Sequence, residues 1–309
     1  MSLTVVGSIA FDSVRTPFGE RDRMLGGSAV HCALAAAFFT DVHVVGPVGG
    51  DFGEEHFGLL TERGIDVSDI ERVPEGETFF WQGHYEYDLN VAHTDDTQLN
   101  VFGEFEPKLS DASRSAELLF LANIQPELQR QVRKQCNGAR MAALDSMNLW
   151  IETARDSLTQ AVREVDCLII NDAEIRQLTE DANLARAAKA VMELGPRVVV
   201  AKQGEYGAAM FTPTGFFALP GFPLEDVRDP TGAGDSFAGG FLGYLDGRAE
   251  RLDDGHLHLD DSTLRSAMAH GTVLASFNVE DFGTDRVLRL QREEIDGRLA
   301  ELRSMTAFE

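Results

Sequence analysis

The chain has 309 residues, 43% of them hydrophobic, which suits one large α/β domain or two smaller ones in an ordinary globular protein. Its charge is not ordinary: 51 Asp and Glu against 27 Lys and Arg give a formal net charge of −24. With only four lysines (Lys108, Lys134, Lys189 and Lys202) and no basic run, such a surface argues against nucleic acid and anionic membranes as partners, and suits solubility or a high-salt cytoplasm.

Short β-rich runs alternate with helix-like stretches along the chain. Residues 3–10 (LTVVGSIA) read as a buried strand, 28–39 as a helix, 42–49 (VHVVGPVG) as a strand and 54–64 as a helix. Strands are then expected at 116–123, 139–146, 165–172 and 196–204, with helices at 125–136, 150–162 and 181–194 between them. This rhythm predicts a mainly parallel sheet covered on both faces. Asp51 with Glu54 resembles a capping box for the second helix, and Gly64 and Gly195 fall where helix C-caps are expected.

One region breaks the rhythm. Thr78 to Glu104 alternates with period two, setting Phe79, Trp81, Tyr85 and Tyr87 on one face and Phe80, Gln82, His84 and Glu86 on the other. With the loop around Arg15 to Arg23 it predicts a small projecting sheet: an antiparallel excursion, a substrate lid or a dimer contact. Cys32, Cys136 and Cys167 are too scattered for a disulfide framework or a zinc site. The N-terminal MSLTVVGSIAFDSV lacks the basic and apolar segments of a leader, and no apolar run reaches the roughly 20 residues of a membrane span, so a soluble, cytoplasmic protein is expected.

The stretch DPTGAGDSFAGGFLGYL (229–245) reads as a glycine-rich turn opening a helix. Residues 232 to 235 would aim several backbone N–H groups at one anion, and small side chains let a phosphate approach. Asp235 at the helix start would cap it or, beside an anion hole, accept the proton of an attacking hydroxyl during phosphoryl transfer. The competing signatures are absent: G-x-x-x-x-G-K-[ST], G-x-G-x-x-G after the first strand, H-E-x-x-H, G-x-S-x-G and the His-Arg-Asp loop of protein kinases.

DPTGAGDSFAGGF (229–241) resembles the second signature of the ribokinase-like, or PfkB, family of carbohydrate and nucleoside kinases. The resemblance continues through VGSIAFD (6–12), LGGSAVHCALAAA (25–37), VGPVGGDFGEE (45–55), NDAEIRQL (171–178) and KQGEYGA (202–208), in the family's order and over nearly the whole chain. It implies a single domain over 1–309, a three-layer α/β/α fold with a mainly parallel sheet, and a β-sheet lid built from about 13–24 and 78–105. It also implies ATP and Mg2+ as cofactors, with K+ a further candidate, and transfer of the γ-phosphoryl group to a hydroxyl of a sugar or nucleoside.

Carried across residue by residue, the resemblance makes Asp235 the base and the amides of Gly232, Ala233 and Gly234 the anion hole. Asp12, Gly26, Gly27, Ser28 and His31 would bind the acceptor. Asn171, Lys202, Gly204 and Gly207 would serve the nucleotide phosphates, with Asn278 and Gly283 near the adenine. Glu174 would hold Mg2+ through water, and Asp229 and Thr231 fall where many members bind a monovalent cation. His31 departs from the family pattern, G-G-x-x-x-N, and either reads a different acceptor or packs. DSMNLW (145–150) matches the family only in part, leaving Asp145 and Asn148 as lesser candidates. Phe79, Phe80 or Trp81 could stack on a nucleobase, while Arg15, Arg21 and Arg23 could pair with the phosphate of a phosphosugar. A non-catalytic sensor on the same fold and a homodimer through the lid remain open at the level of sequence.

Overall fold

The computed structural model describes residues 2–248, 250–251 and 257–307. Its longer strands are β1 (Ser2–Val6), β2 (Ala10–Thr16), β3 (Gly19–Gly26), β4 (Asp41–Gly49), β5 (Asp66–Val73), β6 (Phe79–His84), β7 (His93–Gln98), β8 (Leu118–Leu121), β9 (Met141–Leu144), β10 (Cys167–Asn171), β11 (Val198–Lys202), β12 (Ala208–Thr212) and β13 (Gly215–Leu219). The apolar runs become the main sheet, in the order β13-β12-β11-β10-β9-β8-β1-β4-β5. Neighbours are parallel from β11 to β5, and the β12–β13 hairpin, not foreseen from the sequence, closes one edge antiparallel.

Alternate residues of the central strands feed two cores. Val5, Leu118, Phe120 and Ile169 pack under the helices Ser28–Ala36, Ala233–Arg248 and Asp261–Asn278. Leu119, Leu121, Leu168 and Ile170 pack under Pro126–Gln135, Arg155–Arg163, Asp172–Thr179 and Leu184–Leu194. Strands so buried on both faces need continuous apolar runs, and their helices need apolar stripes, giving the expected three-layer α/β/α fold.

The second sheet, β3-β2-β6-β7, is the lid. Its two central strands run parallel, pairing Ala10 with Phe79 through to Arg15 with His84. Asp51 does not cap the following helix; Gly53 stands at that N-cap. The Asp51 carboxylate instead accepts hydrogen bonds from the Thr78 N–H (2.8 Å) and Oγ1 (2.7 Å) and pairs with Arg23 at 2.8 Å. A tertiary partner outcompetes the local cap, and one carboxylate ties the loop after β4 to both arms of the lid. Gly195 is a helix C-cap as expected.

The helix after the glycine-rich turn packs backbone to backbone on its neighbours. A Cβ on Gly239 would lie 2.2 Å from the Cys32 carbonyl oxygen, and one on Gly240 would lie 2.8 Å from that of His270. Gly58, within the helix Glu54–Thr61, has nothing within 4 Å of the equivalent position. Gly239→Ala is therefore expected to destabilise the fold by about 1–3 kcal/mol, and Gly58→Ala to stabilise it by about 0.5–1 kcal/mol; urea unfolding of the two variants checks both.

Candidate active site

Three neighbouring strands end at one place. Asp145 follows the last residue of β9, Asn171 ends β10 and Lys202 ends β11. Helix N-termini gather at such carboxyl ends and supply unpaired N–H groups. Asn171 is the N-cap of the helix Asp172–Thr179 and forms a capping box with Glu174: Asn171 Oδ1 accepts from the Glu174 N–H at 2.7 Å, and Glu174 Oε2 from the Asn171 N–H at 3.0 Å. One Glu174 oxygen is left outside the box.

Lys202 Nζ donates to Asp145 Oδ2 at 2.7 Å, and a Cβ on Gly234 would lie 2.9 Å from the same nitrogen. The ammonium group is thus wedged between the end of β9 and the glycine-rich turn. Burial alone would lower the Lys202 pKa, but Asp145, Asp235 and Glu174 together raise it, so the cation persists. Burial, reinforced by Asp145, pushes Glu174 up to about 7 and Asp235 up to about 8. These are crowded carboxylates around one cation.

The turn from Asp229 to Gly232 is held from several sides. Asp229 is wholly buried and accepts from the N–H groups of Thr231 and Gly283, each at 2.9 Å. Gly232 has φ +74°, and a Cβ there would lie 2.3 Å from His31 Nδ1, so the imidazole packs directly against the turn. Among the described residues, the N–H groups of Gly232, Gly234 and Asp235 have no intramolecular partner. Ala233, expected in the same set, closes a turn onto the Pro230 carbonyl at 3.2 Å. Three amides therefore remain to face an anion.

His31 and Asn278 sit behind this turn. Asn278 is wholly buried, its Nδ2 donates to the Thr231 carbonyl at 2.7 Å, and its Oδ1 accepts from Ser236 Oγ at 3.0 Å. The same oxygen lies 3.0 Å from His31 Nδ1, which must then carry the ring proton. Burial lowers the His31 pKa to about 4, so the ring is neutral, and its Nε2 is buried without a partner. Asn278, expected near the adenine, has one Nδ2 hydrogen on the Thr231 carbonyl and its Oδ1 shared by Ser236 and His31, so it braces the turn. Gly283 likewise braces Asp229. His31 is 2% exposed and packs against Gly232.

Asp12 lies in β2 with its carboxylate against the Gly26–Gly27 backbone; Gly27, at φ +95°, donates to Oδ2 at 3.4 Å. Burial, opposed by that hydrogen bond and reinforced by Asp229, raises Asp12 to about 7. Ser28 turns away toward Ser8, its N–H donating to Ser8 Oγ at 3.0 Å. Phe79 packs on Phe102, Phe80 against the main core, and Trp81 over Gly83 with its Nε1 on Thr94. None of the three is presented as the free stacking platform expected from the sequence. Arg23 lies over Phe11 and pairs with Asp51, and Arg21 lies over Phe282, so they form no gathered phosphate clamp.

Two lid residues were not recognised from the sequence as site residues. Thr231 Oγ1 donates to the Tyr85 hydroxyl at 3.2 Å, and Asn90 Oδ1 accepts from the Glu205 N–H at 3.3 Å while lying against Gly204 (φ +57°). Tyr85 was visible only as part of an alternating face; Asn90 carries no local signal. Gly207, at φ +97°, shapes the other side of that loop.

Residues 5–289 match the pfkB family of carbohydrate kinases. The chain belongs to that family. It is an ATP-dependent kinase of the ribokinase family, of the group that acts on sugars and nucleosides. The kinase is 30% identical to a cytidine kinase of Thermococcus kodakarensis over 80% of this chain and 90% of that one. It is 28% identical to a nucleoside kinase of Methanothermobacter thermautotrophicus over 91% and 90%, and 29% identical to an ATP-dependent ribose-1-phosphate kinase of Halopiger xanaduensis over 73% and 75%. In fold it is similar to a ribokinase II of E. coli solved with ATP and Mg2+, at TM-score 0.79, 16% identity and 97% and 99% coverage. No helix among the described residues is long and apolar enough to cross a membrane.

Lys202→Met removes the cation that faces Asp145, Glu174 and Asp235. It is expected to cost about 3–5 kcal/mol near pH 8. Part of the loss should return by pH 6, because acids whose folded pKa lies above the unfolded value favour the folded state as pH falls. Denaturant unfolding at the two pH values measures it.

Proposed function

We propose that the protein is a nucleoside kinase that transfers the γ-phosphoryl group of ATP to the primary hydroxyl of a ribonucleoside. The observation that carries the chemistry is Asp235, a half-buried carboxylate beside three unpartnered amides and the Lys202 ammonium group. The nucleoside acceptor is supported by the cytidine and nucleoside kinases among the relatives.

In this reading Asp12 accepts hydrogen bonds from ribose hydroxyls and orients the acceptor. Asp235 takes the proton of the attacking hydroxyl as its oxygen bonds the γ-phosphorus and the bond to the β–γ bridging oxygen breaks, releasing ADP. The amides of Gly232, Gly234 and Asp235 and the Lys202 cation stabilise the charge on the transferring group. The Gly204–Gly207 loop, turned by two glycines at positive φ, is the candidate for the nucleotide phosphates, with Asn90 on its Glu205 N–H. Lid closure excludes the water that would otherwise hydrolyse ATP.

Magnesium fits the residues present. Among the described residues no three acidic, histidine or cysteine side chains gather to hold a metal ion directly, so magnesium would be held through water beside Glu174, which has an oxygen outside its capping box and is pushed up to about 7 by burial and the Asp145 charge. Glu174 and Asn171 would hold it through water, and bound there it would neutralise phosphate charge. Asp229 and Thr231 are the candidates for K+, and a K+ titration of kcat tests them. The phosphosugar reading has a relative behind it, but Arg21 and Arg23 are engaged elsewhere. A sensor would have no use for a carboxylate set beside vacant amides.

Asp235→Asn is expected to fold and bind ATP normally while kcat falls by roughly 10²–10⁴; near-native turnover would overturn the assignment of the base. The acid limb of kcat/KM should follow Asp235, whose carboxylate is pushed to about 8 in the free enzyme. Asp145→Asn removes the largest neighbouring charge that raises it, so the limb should move to lower pH in a profile measured from pH 5 to 9.

A further inference from the structure

The lid sends one hydroxyl into the phosphoryl-transfer site. Tyr85 directly follows β6, and its backbone N–H donates to the Arg15 carbonyl at 2.9 Å, adding a rung beyond the last β2–β6 pair. From that anchored position the side chain crosses to the start of the glycine-rich turn, where the phenol oxygen accepts from Thr231 Oγ1 at 3.2 Å. Among the described residues this is the hydroxyl's only hydrogen bond, so its own proton has no acceptor. Burial raises the Tyr85 pKa, and Asp229, Asp12 and Asp235 are near enough for their charges to add to the effect. An ordinary tyrosine hydroxyl keeps its proton at neutral pH, and with its oxygen already accepting from Thr231 this one is left to donate.

Ionised Asp12 and Asp235 only accept hydrogen bonds. A ribose hydroxyl that gives its proton to Asp12 turns the lone pairs of its oxygen to the protein, and a donor must meet them or they are buried unsatisfied. We propose that Tyr85 is an acceptor-binding residue whose O–H donates to a ribose hydroxyl held by Asp12, so that acceptor binding is complete only when the lid has brought Tyr85 against Thr231. The inference rests on the nucleoside-kinase reading and names the lid group that reads the ribose.

The test compares kcat/KM for cytidine, inosine and adenosine with that for their 2′-deoxy and 3′-deoxy analogues, in the wild type and in Tyr85→Phe. The KM for ATP and thermal melting of both proteins are measured alongside. Tyr85→Phe should raise the nucleoside KM about tenfold with the KM for ATP little changed. The penalty that the wild type shows for one of the two deoxy analogues should shrink in the variant to the part that the lost Asp12 hydrogen bond still imposes. Each penalty is a ratio within one protein, so a folding defect cancels. Equal penalties in the two proteins, or a loss falling on kcat and the KM for ATP alone, would overturn the inference and leave the kinase reading standing. A wild type that phosphorylates none of the nucleosides would overturn the nucleoside reading and the inference together.

Discussion

Carboxylates gathered out of water repel one another, and the site depends on the Lys202 ammonium group that holds them in place. β9, β10 and β11 end side by side at Asp145, Asn171 and Lys202, and the helix after Gly232 brings Asp235 to the same point. Were the lysine absent, Asp145, Glu174 and Asp235 would hold their protons to still higher pH, and a protonated Asp235 could not serve as the proposed base. The lysine's position against Gly234 places the same positive charge beside the unpartnered amides. One side chain thus keeps the acids together and adds to the field that an anionic phosphoryl group would meet.

The two ends of the cleft are built differently. At the phosphoryl end, the turn is braced by Asn278 on the Thr231 carbonyl, by the His31 ring on Gly232 and by Asp229 on two backbone N–H groups. These contacts are buried and satisfied, apart from His31 Nε2, so the anion-facing amides hold their geometry before any ligand arrives. At the proposed acceptor end, Asp12 and Tyr85 ride on lid strands or just beyond them, and Asp51 ties both lid arms to the body through Arg23 and Thr78. In the proposed reading, chemistry is fixed by the body and access by the lid.

Much of this was legible in the sequence, for identifiable reasons. Parallel strands buried on both faces must be apolar runs, so β1, β4 and β8 to β11 showed themselves, and a phosphate-sized opening in backbone requires the small residues of 232 to 235. What failed to show were the choices made by tertiary competition. Asp51 had the spacing of a cap, but Thr78 offers it an N–H and a hydroxyl together. Asn278 had the position of an adenine contact, but its amide is taken by Thr231, Ser236 and His31, partners scattered over the chain. Tyr85 and Asn90 reach their partners across the cleft, and period-two patterning says which face a residue is on, not how far its side chain extends.

At Gly239, Gly240 and Gly243 the three helices that carry Cys32, Gly239 and His270 approach main chain to main chain, with no side chain at those points to resize. Gradual substitution therefore has almost no purchase there: the smallest addition, a methyl group, already strikes a carbonyl. The lid has the opposite character, since β7 is exposed along its whole length and most of β3 faces solvent. Divergence toward new acceptors is thereby channelled into one small sheet, and a lineage can change what it phosphorylates without disturbing how it does so.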